Sequence, residues 1–184
     1  MMKSLPNILT LSRVVVIPAL VAVFFLVKGD MSYWLSFLIF ALAGITDFFD
    51  GYIARIYGST SKLGQFMDPV ADKLMVGATI IMLVAFERVT GVHIIAVMII
   101  LLREIMVSGL REFLAELSVS IPVTKLAKWK TTFQMVALGA LLIGAAAPAW
   151  LPAYEVGIIC LWASVILTLY TGYDYLKAGL KHMD

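Results

Sequence analysis

The chain has 184 residues, 62% of them hydrophobic and only 14% charged, with a formal net charge of +2. A soluble domain carries about a quarter of its residues as charges, so this composition, with a mean hydropathy of +0.99, excludes an ordinary globular enzyme. What is left is an all-α integral membrane protein of one domain, residues 1–184, with membrane lipid as a partner and nucleic acid not expected as one.

Six apolar segments follow in chain order, at roughly residues 6–28, 33–57, 68–87, 91–115, 124–149 and 153–178. Each can reach the roughly 20 residues needed to span a hydrocarbon core. The first has the look of a signal peptide, since Lys3 and Arg13 flank the start of its apolar run. It has no small-residue cleavage site and five further segments follow, so it is read as a retained span. Its start, Pro6-Asn7-Ile8-Leu9-Thr10-Leu11-Ser12-Arg13, suits an amphipathic interfacial helix with Arg13 reaching the headgroups.

The second segment ends in Asp47, Asp50, Gly51 and Ala54, which share one helical face by the i, i+3, i+4, i+7 rule. Gly51 lets a ligand approach the backbone, and Arg55, one turn on, can fork onto a phosphate. Gly58 to Ser61 form a small polar turn suited to a nucleotide edge. The third segment opens with Asp68 and Asp72, on one face by i, i+4. Acids in apolar helices cost several kcal/mol and usually face a cavity, a partner or a metal. Four acids without matching bases nearby suit hard divalent cations, and magnesium is usually bound by a few carboxylates together with substrate phosphates. A proton relay or ion pathway is the other reading of the same acids.

The fourth segment carries Arg103 and Arg111 eight residues apart, about two turns, and the fifth begins with Lys128 and Lys130. A base inside a span needs a counter-charge, and a small phosphate dianion supplies one. Cys160, His93 and His182 form no disulfide, zinc or nucleophile–base pattern. An even number of spans puts both termini on one side. That side gathers most of the bases, while the other keeps Lys28 and Arg88. By the positive-inside rule the basic side is cytoplasmic, and the four aspartates lie toward it, in the cytoplasmic (inner) membrane.

The run from Asp47 to Asp72 has the spacing D-x2-D-G-x2-A-R, then eight residues, then G-x3-D-x3-D. It resembles the CDP-alcohol phosphotransferase signature at Asp47, Asp50, Gly51, Ala54, Arg55, Gly64, Asp68 and Asp72. The stretches Arg103 to Ala115 and Lys128 to Gln134 are similar to the branch of that family whose acceptor is glycerol 3-phosphate. Ala127 stands where that branch is expected to have glycine. The resemblance implies the CDP-alcohol phosphotransferase fold with six transmembrane helices, and a homodimer. It implies transfer of the phosphatidyl group of CDP-diacylglycerol to glycerol 3-phosphate, releasing CMP. It assigns Asp47, Asp50, Asp68 and Asp72 to two ions, Mg²⁺ or Mn²⁺, with Asp72 also the base for the acceptor hydroxyl. Asn7, Thr10, Gly51, Arg55 and Ser61 would bind CDP-diacylglycerol, and Arg103, Arg111, Lys128 and Lys130 the acceptor. A relative with inositol phosphate, serine or phosphatidylglycerol as acceptor is the near alternative. A small ion transporter is the distant one.

Overall fold

In a chain this apolar the backbone N–H and C=O groups must be paired within each segment, which makes helices of the apolar runs. The computed structural model describes residues 5–57, 62–117, 119 and 124–180, and the side chains of these except 5–14, 47–68 and 125. It is all-helical: α1 (Leu5–Leu26), α2 (Asp30–Tyr57), α3 (Lys62–Ala85), α4 (His93–Glu116), α5 (Lys125–Ile143) and α6 (Ala153–Leu180), with a 3-10 turn at Gly144–Ala146.

These bounds lie close to the expected segments, with two differences. Helix α3 starts at Lys62, so Pro69 lies inside it instead of opening it. Proline removes one N–H bond, but stopping the helix would leave several more backbone groups unpaired. Helix α5 stops at Ile143 because Gly144 turns to φ 38, a positive value suited to glycine.

Helix α5 packs most extensively on α6. Gly157 makes that closeness possible, since a Cβ there would meet Leu141 Cγ at 2.8 Å and Leu141 N at 3.2 Å. Helix α1 packs on α2 and α3, α2 on α5, and α4 on α6, so the helices form a ring whose lightest seam is α3 against α4. Each helix gives a side chain to the core: Leu20, Phe40, Leu83, Ile100, Leu138 and Leu161. The outward faces are apolar too. Leu102, Ile159 and Ile166 are each more than 60% exposed. Helices α4 and α6 are long and apolar enough to cross a membrane, and their most apolar stretches are only 22% and 39% buried. The core helix of a soluble protein would be mostly covered, whereas these present their apolar surface outward, as helices in lipid do.

The polar contacts gather at the two ends. At one end the turn after α3 brings Arg88 to the C-terminal ends of α1 and α5 and the N-terminal end of α2. Arg88 is 9% exposed. It donates to Ser36 Oγ at 3.1 Å, Ser32 Oγ at 2.9 Å and the Leu142 carbonyl at 2.9 Å. Its guanidinium lies 3.7 Å from the Tyr33 ring centroid and 4.3 Å from that of Phe24. The Leu142 carbonyl belongs to the last turn of α5, where a cation also meets the negative end of the helix dipole. Arg88 is therefore a pin through α1, α2, α3 and α5, not a base lying among headgroups. Lys28 is exposed on the same side. The opposite end gathers the early turns of α3 and α5 with the late turns of α4 and α6, so the helices alternate in direction.

Removing Arg88 takes a donor from Ser32 Oγ, Ser36 Oγ and the Leu142 carbonyl, leaving Ser36 only its bond to the Tyr33 carbonyl. Arg88→Met should lower unfolding stability in detergent by about 2–4 kcal/mol, read from denaturant titration. An unchanged midpoint and slope would show that the pin contributes nothing.

Candidate active site

The acid pairs lie on helices, as their spacing requires. Asp47 and Asp50 stand on α2 with Gly51 and Arg55, and Asp68 and Asp72 on α3. Asn7 and Thr10 stand on α1. Ser61 lies outside the described residues, as do the side chains of Asn7, Thr10, Asp47, Asp50, Arg55 and Asp68. Asp72 is exposed, and its charge acts on Lys130 across the end of the bundle.

Beside the α3 turn that carries Asp68 and Asp72 lies a cavity of about 340 Å³. Its wall includes Pro69 and Lys73, the chain neighbours of those acids, with Arg103, Glu104, Ser108 and Arg111 from α4. Arg103, Val107 and Arg111 recur at helical spacing, so the two arginines share the face of α4 that looks inward. Lys73 donates to Ser108 Oγ at 2.5 Å and ties α3 to α4 across their light seam.

The bases are held unequally. The Arg103 side chain is 10% exposed. Its Nη2 donates to Thr171 Oγ1 at 2.9 Å, and its Nη1 lies 3.5 Å from Glu104 Oε1. Arg103 Nε is buried without a hydrogen-bond partner. Lys130 is buried and paired with the same Glu104 oxygen, joining α5 to α4. Arg111 is exposed, and Lys128 is exposed outside the cavity wall. Thr124 caps α5, its hydroxyl accepting from Ala127 N at 3.3 Å. Position 127 is thus within the first turn of a capped helix, where alanine serves as well as glycine.

The structure also brings in residues the sequence did not single out: Lys73 and Ser108 in the cavity wall, and Thr171 and Tyr175 on α6 against its arginines. Lys73 could have been found from its place next to Asp72, and Ser108 from its place between the two arginines. Thr171 and Tyr175 gave no such signal, because α6 reads only as a hydropathy run. Chemically, this end of the bundle sets the Asp72 carboxylate of α3 near three cations, Lys73, Arg103 and Arg111, and a buried, unpartnered N–H of Arg103. That arrangement suits an anionic, phosphate-bearing ligand beside an acid-lined site.

Comparison with known proteins agrees with this chemistry. The family model for CDP-alcohol phosphatidyltransferase matches residues 3–170. The CDP-diacylglycerol–glycerol-3-phosphate 3-phosphatidyltransferase of Rickettsia felis is 47% identical over 180 residues, covering 98% of this chain and 97% of its own length. Proteins of the same name from Haemophilus influenzae and Salmonella choleraesuis are 41% and 40% identical, covering 96% and 97% of this chain. With a family match over most of its length and relatives this similar from end to end, the chain belongs to the CDP-alcohol phosphatidyltransferase family.

Proposed function

We propose that this protein transfers the phosphatidyl group of CDP-diacylglycerol to glycerol 3-phosphate, releasing CMP. The observation that carries the reading is the cavity of Lys73, Arg103 and Arg111, three bases against Glu104 and Glu112, set beside the turn of α3 that bears Asp68 and Asp72. Relatives named for this reaction over nearly the full chain support it. All six helices cross the membrane in this reading. Both termini and the site face the cytoplasm, where lipid and soluble metabolite can meet.

The donor set fits divalent metal: four carboxylates, oxygen only, on two helices, with Asp72 exposed at the end of the bundle. Asp47, Asp50 and Asp68 would hold one Mg²⁺ or Mn²⁺, and Asp47, Asp68 and Asp72 the second. When bound, such ions neutralise the diphosphate and the departing CMP. Asn7, Thr10, Gly51, Arg55 and Ser61 hold the CDP-lipid. Arg103 and Arg111 in the cavity wall take the acceptor phosphate. Lys130, behind Glu104, and the exposed Lys128 add to the field. Asp72 accepts the proton of the glycerol hydroxyl as its oxygen bonds to the β-phosphorus and the bond from that phosphorus to the CMP oxygen breaks. The protein acts as a homodimer.

Three outcomes are expected. Asp68→Asn keeps size but loses a shared anionic ligand, and should lower metal-dependent CMP release by about two to three powers of ten; near-normal turnover would sink the two-metal reading. Asp72→Asn should depress kcat while CDP-diacylglycerol binding survives, and a parallel loss of lipid affinity would make Asp72 chiefly a metal ligand. Arg103→Ala or Arg111→Ala should each cost roughly ten- to a hundredfold in kcat/KM for glycerol 3-phosphate, with KM for CDP-diacylglycerol nearly unchanged. Glycerol, which would leave those bases unpaired, should be a poor acceptor in the same assay, and equal use of both acceptors would contradict the assignment.

A further inference from the structure

Helix α6 carries no acid of the signature and no base of the cavity, yet one of its faces lies under both cavity arginines. Thr171 and Tyr175 are one turn apart on it and both are buried. The Thr171 hydroxyl donates its single proton to the Leu167 carbonyl at 2.8 Å. Its oxygen is thereby left purely an acceptor, and Arg103 Nη2 donates to it at 2.9 Å. The Tyr175 ring centroid lies 5.9 Å from the Arg103 guanidinium carbon and 5.7 Å from that of Arg111. Both distances fall within the range at which a ring face attracts a cation. The Arg103 stem lies directly on this face at Gly172, where a Cβ would stand in ordinary van der Waals contact, 3.4 Å from Arg103 Cγ and 3.6 Å from its Nε.

Two guanidiniums held near one ring repel each other. With neither a ring nor an anion to hold them they would swing apart, and Arg111, being exposed, has the room to do so. A phosphate arriving at such a loosened site would have to order two long side chains, at a cost in affinity. The ring and the hydroxyl remove much of that cost by holding the pair in place before the ligand comes.

We propose that Thr171 and Tyr175 are positioning residues, which preorganise Arg103 and Arg111 to grip a phosphate dianion. Neither touches the reacting atoms. Their effect falls on affinity for the phosphate-bearing acceptor, and CDP-lipid binding and the chemical step are spared. The inference rests on reading the basic cavity as the acceptor site.

The test uses full-length protein in detergent or nanodiscs, with wild type, Thr171→Val, Tyr175→Leu and Tyr175→Phe. KM for glycerol 3-phosphate should rise about three- to tenfold in Thr171→Val and about five- to tenfold in Tyr175→Leu. Tyr175→Phe, which keeps the ring, should stay within about twofold of wild type. KM for CDP-diacylglycerol and kcat should move less than about twofold in all three. In parallel, inorganic phosphate is titrated calorimetrically into each protein, and its affinity should fall by the same factors. Should wild type release no CMP with glycerol 3-phosphate, the acceptor reading fails, and the phosphate titration alone then decides the positioning role. The proposal is overturned by unchanged phosphate affinity in Tyr175→Leu or by absence of phosphate binding in wild type. A Phe variant as weak as the Leu variant, or lipid KM rising in step with acceptor KM, would also overturn it, since either marks a merely structural role.

Discussion

A cation inside an apolar helix bundle must be satisfied by the protein or by a ligand, and the two ends of this molecule meet that constraint in opposite ways. At one end Arg88 is closed off by two serine hydroxyls, a helix-terminal carbonyl and two aromatic rings. Three of its N–H groups are taken by the protein and none of its contacts opens onto the acid end, so the result is a join of four elements. At the other end Arg103 and Lys130 share the Glu104 carboxylate, one hydroxyl meets Arg103, one ring lies near Arg103 and Arg111, and Arg103 keeps a buried N–H without a partner. Desolvated donors left open in this way cost stability unless something binds them. The incompletely satisfied end is also the end next to the acids of α3, and that coincidence is what gives the fold a direction and a place for chemistry.

The scaffold explains why the open end can persist. Helices α5 and α6 are locked together where Gly157 admits Leu141, and the pin at Arg88 fixes α1, α2 and α3 against α5. Helices α3 and α4 meet only lightly, and Lys73 bridges to Ser108 there. A firm frame with one loose seam beside the site suits a protein whose substrate enters partly from lipid and partly from water.

Hydropathy alone located all six helices, because a long apolar run shielded from water must pair its backbone N–H and C=O groups within itself. It failed only where local backbone rules decide. Pro69 reads as a helix start but is carried inside α3, and Gly144 ends α5 by its positive φ before the apolar run ends. The spacing of Asp47, Asp50, Asp68 and Asp72 was legible because four acids in apolar helices have few explanations. The basic residues were harder to read. Arg88, Lys130 and Arg111 look alike in sequence, yet one is a structural pin, one is buried against Glu104 and one is exposed over Tyr175. Which base meets a hydroxyl, a carboxylate or open space depends on helix rotation, and composition does not encode that. For the same reason Thr171 and Tyr175 were invisible: a buried polar face on α6 gains meaning only from the arginines opposite.

The central claim is that this site joins a CDP-activated lipid to a small phosphate-bearing alcohol. It is tested most directly by CMP release from CDP-diacylglycerol with purified protein and magnesium, comparing glycerol 3-phosphate, inositol phosphate, serine and phosphatidylglycerol as acceptors. Release that requires both the metal and glycerol 3-phosphate, with the other three near background, is the predicted result. Preference for another acceptor would move the protein to a different branch of its family. Absence of any metal-dependent release, with ion uptake by liposomes carrying the protein, would contradict the enzymatic reading altogether.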